Sequence, residues 1–178
     1  MRFTRTRRGV EAKPDEVEST VLRRCVQDLL ALLGEGPEPS GDPLEALLGM
    51  PVGVVERPAD AALARLLPDA YPSEDPAAST EFRRYTEGDL RAGKRANASA
   101  VLATLPASGR LVLDRDEADA WLGCLNDLRL VIGTRLDVTD QTNLDDLDPD
   151  DPRAQALQVY GWLGWLQESL IGCLQPRG

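Results

Sequence analysis

Four long segments of the chain carry apolar residues at the spacing of an amphipathic helix, one every three or four positions. Two shorter helices are predicted after Asp42–Pro43 and after Asp60, because at both places an aspartate cap precedes a short apolar run. The hydrophobic pattern therefore predicts a mainly α bundle of about four long and two short helices. The long segments are residues 14–33, 79–105, 114–136 and 151–174.

Local signals mark the ends of these helices. Asp114 followed by Glu117 is a capping-box pattern, and Ser79 or Thr80 is the predicted cap of the second long helix. Gly34 is placed to end the first long helix. Helix boundaries are thus predicted from residues close to each end.

A small β patch is expected beside the helices. Residues 1–13 alternate loosely and are basic, which predicts a short strand or an ordered arm. Its predicted partner lies near residues 110–113, and two paired strands are stable only when they pack on helices. With 178 residues and 42% hydrophobic composition, the chain predicts one domain over 1–178, at about 150 residues per domain.

The second long helix is predicted to have an apolar side and a basic side. Phe82, Tyr85, Ala96 and Ala100 fall on one side, which is expected to pack inward. The opposite, solvated side is a predicted binding surface for an acidic protein partner; the alternative is a solvated helix face with no partner. The basic residues of that side are Arg83, Arg84, Arg91, Lys94 and Arg95, and Glu87 lies among them.

Two charged residues fall on apolar stripes. Asp89 lies on the predicted inner side of its helix, and Arg129 lies within the stripe of the third long helix. Because a buried unpaired charge is costly, the two are predicted to pair. The alternative is that Arg129 extends to the edge of its stripe and reaches water.

Composition argues against several classes of function. A formal net charge of −10 and the absence of histidine argue against free-standing nucleic-acid binding, against most zinc sites and against the usual catalytic triads. The acidic loop 137–151 lacks the glycine and glutamate of a calcium loop, so no metal site is predicted there. No cofactor is predicted either. No leader or membrane span is recognisable, which predicts a cytoplasmic protein with reduced thiols.

The three cysteines are far apart in the sequence. Cys25 lies within an apolar stripe and is expected to pack as a small hydrophobe, with redox chemistry as the alternative. Cys124 is read either as a half-buried structural residue or as a thiolate whose pKa is lowered by nearby arginines. A thiol sensor would join Cys124 to Cys173 or Cys25 by a disulfide.

The last helix is apolar nearly all round. Such a helix is either central in the core or shared with another molecule, so residues 157–174 are predicted to be core or, alternatively, a homodimer surface.

Three runs of sequence resemble a known family. In this order, LARLLPDAY, EFRRYTEGDLRAGKRANA and AWLGCLNDLRLVIGTRL are similar to an actinobacterial family of domains of unknown function that includes the AosR-type oxidative-stress transcriptional regulator. The resemblance implies a non-enzymatic regulator that forms a disulfide on oxidation and joins a protein partner such as a sigma factor. The redox pair of that family is closely spaced, whereas no two cysteines here are close in sequence. The resemblance therefore carries over the scaffold and a protein partner, but not the disulfide.

A small enzyme is the remaining alternative to a binding module and a thiol sensor. It would require a concave pocket that holds several of Asp89, Asn97, Asn126 and Arg129. Because the carboxylates of the chain fall mainly in predicted loops and caps, an enzyme is not the function that the sequence favours.

Overall fold

The computed structural model describes residues 1–36, 56–69, 76–144, 148 and 150–175, without the side chains of 76–81. Five helices and three strands lie in these residues, which confirms the prediction of a mainly α fold with a small β patch. The predicted short helix after Asp42–Pro43 lies outside the described residues. In chain order the elements are β1 (Thr4–Thr6), β2 (Gly9–Ala12), α1 (Glu16–Leu33), α2 (Ala61–Leu66), α3 (Pro76–Thr104), β3 (Leu111–Leu113), α4 (Arg115–Arg135) and α5 (Ala154–Leu174).

The β patch has three strands rather than two. Residues 4–12 form an antiparallel hairpin, in which Thr6 pairs with Gly9 across the turn, and β2 then pairs antiparallel with β3. The sequence analysis missed the hairpin because its turn, Arg7–Arg8, has no glycine or asparagine in its two central positions. The required positive φ appears one residue later, at Gly9, where φ is +125°. The inner face of the sheet is formed by Val10, Ala12, Leu111 and Leu113.

Capping side chains begin three of the helices, and two of these caps, Asp60 and Asp114, were predicted from the sequence. Asp114 and Glu117 form a complete capping box at α4, and Asp15 and Glu18 form a second one at α1. Asp60 accepts a hydrogen bond from the backbone N–H of Leu63 at 2.9 Å and caps α2. These contacts join residues three apart, so a sequence pattern is sufficient to predict them.

Two helices begin elsewhere than predicted. Helix α3 begins at Pro76, three residues before the predicted cap, and α5 begins at Ala154 instead of near Asp151–Pro152. At α5 the Asp151 carboxylate accepts a bond from the Arg153 guanidinium at 3.0 Å, and Arg153, the N-cap, makes no side-chain capping bond.

Helix α4 packs against α1, α2, α3, α5 and the sheet, so it is the central element of the fold. Its Trp121 is fully buried, contacts the edge of Phe3 with ring centroids 5.6 Å apart, and donates from Nε1 to the Thr104 hydroxyl at 2.8 Å. One tryptophan thus links the N-terminal strand, α3 and α4. In the described part of the chain, no helix has both the length and the apolar composition needed to cross a membrane.

The close approach of β2 and β3 at Gly9 generates a stability prediction. A Cβ at position 9 would lie 2.2 Å from the Leu113 carbonyl oxygen, on a backbone with φ of +125°. Gly9→Ala should therefore lower the free energy of unfolding by at least ~2 kcal/mol. The control is Gly88→Ala in α3, where a Cβ meets no atom within 4 Å, and which should be neutral or stabilising by up to about 1 kcal/mol. Urea denaturation checks both, and equal effects would contradict the hairpin geometry.

Candidate functional site

The first half of α3 is turned opposite to the predicted direction. Arg83, Glu87 and Arg91 are buried, with only 5%, 7% and 7% of their surfaces exposed. Phe82 and Tyr85, which were predicted to pack inward, are 42% and 47% exposed. The prediction that the basic residues form the solvated side is therefore wrong for this part of the helix.

Burial of these charges is possible because they pair with one another along the helix. The Glu87 carboxylate accepts from Arg83 Nη1 at 2.7 Å through Oε2 and from Arg91 Nη2 at 2.6 Å through Oε1. Arg83 also donates from Nη2 to Asp69 Oδ1 at 2.5 Å. We call Arg83, Glu87 and Arg91, which are spaced four residues apart, the α3 charge row. Burial disfavours the charged form of Arg83, but its bonds to Asp69 and Glu87 outweigh this effect and raise the pKa of the guanidinium.

The arginines of α3 also satisfy backbone carbonyls at the ends of two other helices. Arg83 donates to the carbonyl of Leu67 at 3.1 Å, and Arg91 donates to the carbonyl of Leu33. Arg95 donates to the carbonyl of Gly34 at 2.6 Å. The last carbonyls of a helix have no partner within it and carry partial negative charge, so a guanidinium is a suitable donor there. The row therefore joins the C-terminal ends of α1 and α2 to α3.

The other predicted partner-binding residues do not form an open basic surface either. Lys94 lies 2.6 Å from the buried Asp127 carboxylate, and the Lys94 side chain is largely buried. Arg84 is half-buried, lies 4.8 Å above the Tyr85 ring centroid and donates to the Tyr85 hydroxyl at 2.6 Å. Only about a third of the Arg95 side chain (34%) is exposed. Lys94, Arg84 and Arg95 thus have partners within the fold, which the sequence analysis did not predict.

The predicted pairing of Asp89 with Arg129 is wrong. Asp89 is exposed on the outer face of α3, because the charge row turns that face toward solvent. Arg129 is half-buried between α4 and α5, where it donates to Gln167 Oε1 at 2.7 Å and to the Tyr160 hydroxyl at 3.4 Å. The pocket required by the enzyme alternative does not form around these residues, since Asn97 packs against Gly123 on the α3 side of α4.

The sequence analysis did not recognise three carboxylates, those of Asp69, Glu87 and Asp127, as partners of the α3 cations. Glu87 was assigned to the solvated side, and neither Asp69 nor Asp127 was singled out. The i, i+4 spacing of Glu87 from both Arg83 and Arg91 was a usable signal, because such pairs face each other on a helix. Burial raises the pKa of Asp127, and the hydrogen bond from Lys94 offsets part of that effect.

The three cysteines are free thiols, and none has the lowered pKa of a reactive thiolate. Burial raises the pKa of Cys124 to about 12, with a smaller contribution from Asp127, which contradicts the thiolate interpretation. Burial also raises the pKa of Cys25 and of Cys173. Within the described residues, no group of three or more acidic or cysteine side chains is placed to hold a metal ion.

Exposed apolar side chains lie on α3 and α5. The outer face of α3 presents Phe82 and Tyr85, which are three residues apart, and each is more than two-fifths exposed. Leu90 is also exposed, but it lies about 140° around the helix from Tyr85. On α5 the main apolar stripe, which includes Leu163 and Leu166, is buried, whereas Trp165 and Ile171 remain exposed. Much of α5 is thus core, and the homodimer surface over residues 157–174 stays a prediction.

The charge row predicts a large difference between two carboxylates. Glu87→Gln leaves two buried guanidinium groups without their shared carboxylate, which should cost about 3–5 kcal/mol of unfolding free energy. Asp28→Asn breaks the Arg24–Asp28 pair, whose side chains are 75% and 53% exposed, and should cost no more than about 1 kcal/mol. Urea denaturation at pH 7 compares the two, and a loss at Glu87 as small as at Asp28 would contradict the network.

The raised pKa of Cys124 predicts slow alkylation. With a pKa of about 12 instead of the ordinary 9.0, the thiolate fraction at pH 8 falls about 10³-fold, and reaction with iodoacetamide slows at least as much. Mass spectrometry of tryptic peptides should show Cys124 unmodified in the native protein and modified in 8 M urea, which serves as the control. Native modification of Cys124 as fast as in urea would contradict its burial.

Comparisons with known proteins identify the family of the chain. The family model described as "Domain of unknown function (DUF2017)" matches residues 1–174. The "Putative oxidative stress regulator AosR" of Mycobacterium leprae is 37% identical over 168 residues, covering 86% of this chain and 77% of that protein. "Oxidative stress regulator AosR" of Mycobacterium bovis and that of Mycobacterium tuberculosis are each 33% identical over 168 residues, with the same coverages of 86% and 77%. No solved structure matches the chain. The chain therefore belongs to the DUF2017 family.

Proposed function

We propose that this protein is a non-enzymatic regulator of the oxidative-stress response and that it acts by binding a protein partner through the outer face of α3. Relatives that cover most of the chain are named oxidative stress regulators, which supports the regulatory role. The sequence resemblance makes a sigma factor the first partner to test, and the regulated step is then transcription.

The observation that supports the binding surface is the exposure of Phe82 and Tyr85, which lie three residues apart on one face of a rigidly held helix. Their side chains are 42% and 47% exposed, although the same helix buries three charged residues on its inner side. Burying large apolar side chains against a partner contributes about 25 cal/mol per Å² of apolar surface. Because the α3 charge row prevents rotation of this helix, the apolar surface is presented in a fixed orientation and little ordering is needed on binding.

Arg84 adds a cationic component to this surface. Its guanidinium lies over the Tyr85 ring, so an aromatic side chain and a cation are presented together. Arginine and tyrosine are enriched among the residues that contribute most to protein interfaces. Of the five basic residues predicted from sequence, only Arg84 contributes to this partner surface, because Arg83, Arg91, Lys94 and Arg95 contact groups within the fold.

The thiol-sensor alternative has weaker support. A sensor thiol reacts as thiolate, and burial raises the pKa of Cys25, Cys124 and Cys173 in this fold. The proposal therefore includes no disulfide, and the oxidative signal reaches the protein through its partner.

The α3 surface is tested by affinity purification from native cells, with and without peroxide, followed by quantitative mass spectrometry. The substitution Tyr85→Glu places one charge on the apolar surface and should lower recovery of the partner at least tenfold, equivalent to about 1.4 kcal/mol. Val17→Glu is the matched control, because Val17 is an apolar residue of α1 that is 71% exposed. It should leave recovery within a factor of two.

Circular dichroism on both variants verifies that they fold. Recovery of every wild-type partner by the folded α3 variant would rule out this surface. Equal losses with Val17→Glu would show that added charge, and not the position, is responsible.

A further inference from the structure

Arg129 is a half-buried cation whose partners are all neutral. It donates to Gln167 Oε1 at 2.7 Å and to the Tyr160 hydroxyl at 3.4 Å, and its guanidinium carbon lies 5.2 Å from the Tyr160 ring centroid. Arg83, Arg91 and Lys94, by contrast, each have a carboxylate oxygen within 2.7 Å. Among the residues that the structure describes, no carboxylate forms an ion pair with Arg129, so its charge is uncompensated at short range.

The guanidinium also has unused donors. Each terminal nitrogen carries two N–H groups, and the two named bonds use one on each nitrogen. The Nε–H is buried and makes no hydrogen bond, so the edge of the guanidinium that a ligand can reach is the one formed by the two terminal nitrogens. A carboxylate that approaches from solvent can accept from both terminal nitrogens at once, the end-on form of a bidentate arginine contact.

Two glycines make room for this arrangement. A Cβ on Gly164 would lie 3.4 Å from Arg129 Nε, and a Cβ on Gly133 would lie 3.1 Å from Tyr160 Cε2. A side chain at position 133 would have to displace the Tyr160 ring, whereas the contact at position 164 would be of ordinary van der Waals length. The two glycines thus allow the guanidinium and the phenol to lie close to the opposite helix.

We propose that the Arg129 notch, formed by Arg129, Tyr160, Gly164 and Gln167, binds an aspartate or glutamate side chain of a protein partner. One guanidinium with neutral neighbours matches one negative charge, whereas a net charge of −10 on the chain repels phosphate dianions and nucleic acid. A protein is favoured over a small metabolite because Ile171, one helical turn after Gln167 on the same face of α5, is 37% exposed and supplies an apolar neighbour of the kind found at interfaces. The notch lies on α4 and α5 and is separate from the α3 surface. The two proposals can therefore be tested independently.

The charge preference of the notch is tested by NMR on the full chain. The Arg129 Nε–Hε signal, assigned with Arg129→Lys, is followed during titration with N-acetyl-glutamate amide and with its neutral analogue N-acetyl-glutamine amide at equal ionic strength. The glutamate probe should shift the signal at least fivefold more than the glutamine probe. Equal shifts, or an equal or larger shift with sodium phosphate, would overturn a carboxylate site. Saturation at micromolar probe would indicate a metabolite site and overturn the assignment to a protein side chain.

A pair of glycine variants tests the geometry. Gly164→Leu places a large side chain beside the Arg129 guanidinium and should reduce the glutamate-induced shift at least threefold. Gly172→Leu, on the same helix, starts from a position where a Cβ meets no atom within 4 Å and should leave the shift unchanged. A shift that survives Gly164→Leu undiminished, in a protein whose circular dichroism is native, would show that the probe binds elsewhere.

The protein source is tested with Arg129→Gln in the affinity purification. A partner lost with Arg129→Gln is purified, and its acidic residues are changed one at a time to the corresponding amides. One such change should weaken binding to the wild-type chain at least tenfold and leave binding to Arg129→Gln unaltered, the signature of a direct pair. If every amide substitution affects both forms equally, or if no partner depends on Arg129, the proposal is overturned. Loss of partners with the α3 variant but not with Arg129→Gln would reject the notch and retain the α3 surface.

Discussion

The sharing of the Glu87 carboxylate between Arg83 and Arg91 is the interaction on which the rest of this structure depends. Two guanidinium groups would be too costly to bury without an anion, and one carboxylate with a bond to each makes the burial tolerable. The arginines then reach the carbonyls of Leu67 and Leu33, so the same contacts that neutralise the charges also join three helices. With its charges inside, α3 has to turn its aromatic side chains outward.

The parts of the fold that sequence predicts well are set by local contacts. Capping boxes such as Asp114–Glu117 and the aspartate cap at Asp60 join residues three apart, so the pattern contains all the information. The direction of α3 was mispredicted because a hydrophobic stripe assigns every arginine to solvent. Whether a cation can be buried depends on acceptors such as the Leu33 carbonyl, which is 58 residues away from Arg91 in the chain.

The same reasoning explains the remaining differences at the candidate site. Arg129 was correctly identified as a charge within an apolar stripe, but its partners Tyr160 and Gln167 lie on a helix whose facing side cannot be known before α4 and α5 are packed. The reactivity of Cys124 likewise depends on how deeply the thiol is buried. Cys124 was predicted to lie at the margin of an apolar stripe near arginines. Because α4 is the central helix, burial instead has the largest effect on the pKa of Cys124.

The most direct test of this account is hydroxyl-radical footprinting of the aromatic side chains in dilute, monomeric protein. Phe82 and Tyr85, which are 42% and 47% exposed, should be oxidised rapidly. Phe3 and Trp121, which are 2% and 0% exposed, should be strongly protected. Protection of Phe82 and Tyr85 equal to that of Phe3 would show that α3 faces the other way. The charge row would then not be buried, and the outer face of α3 would not be available to a partner.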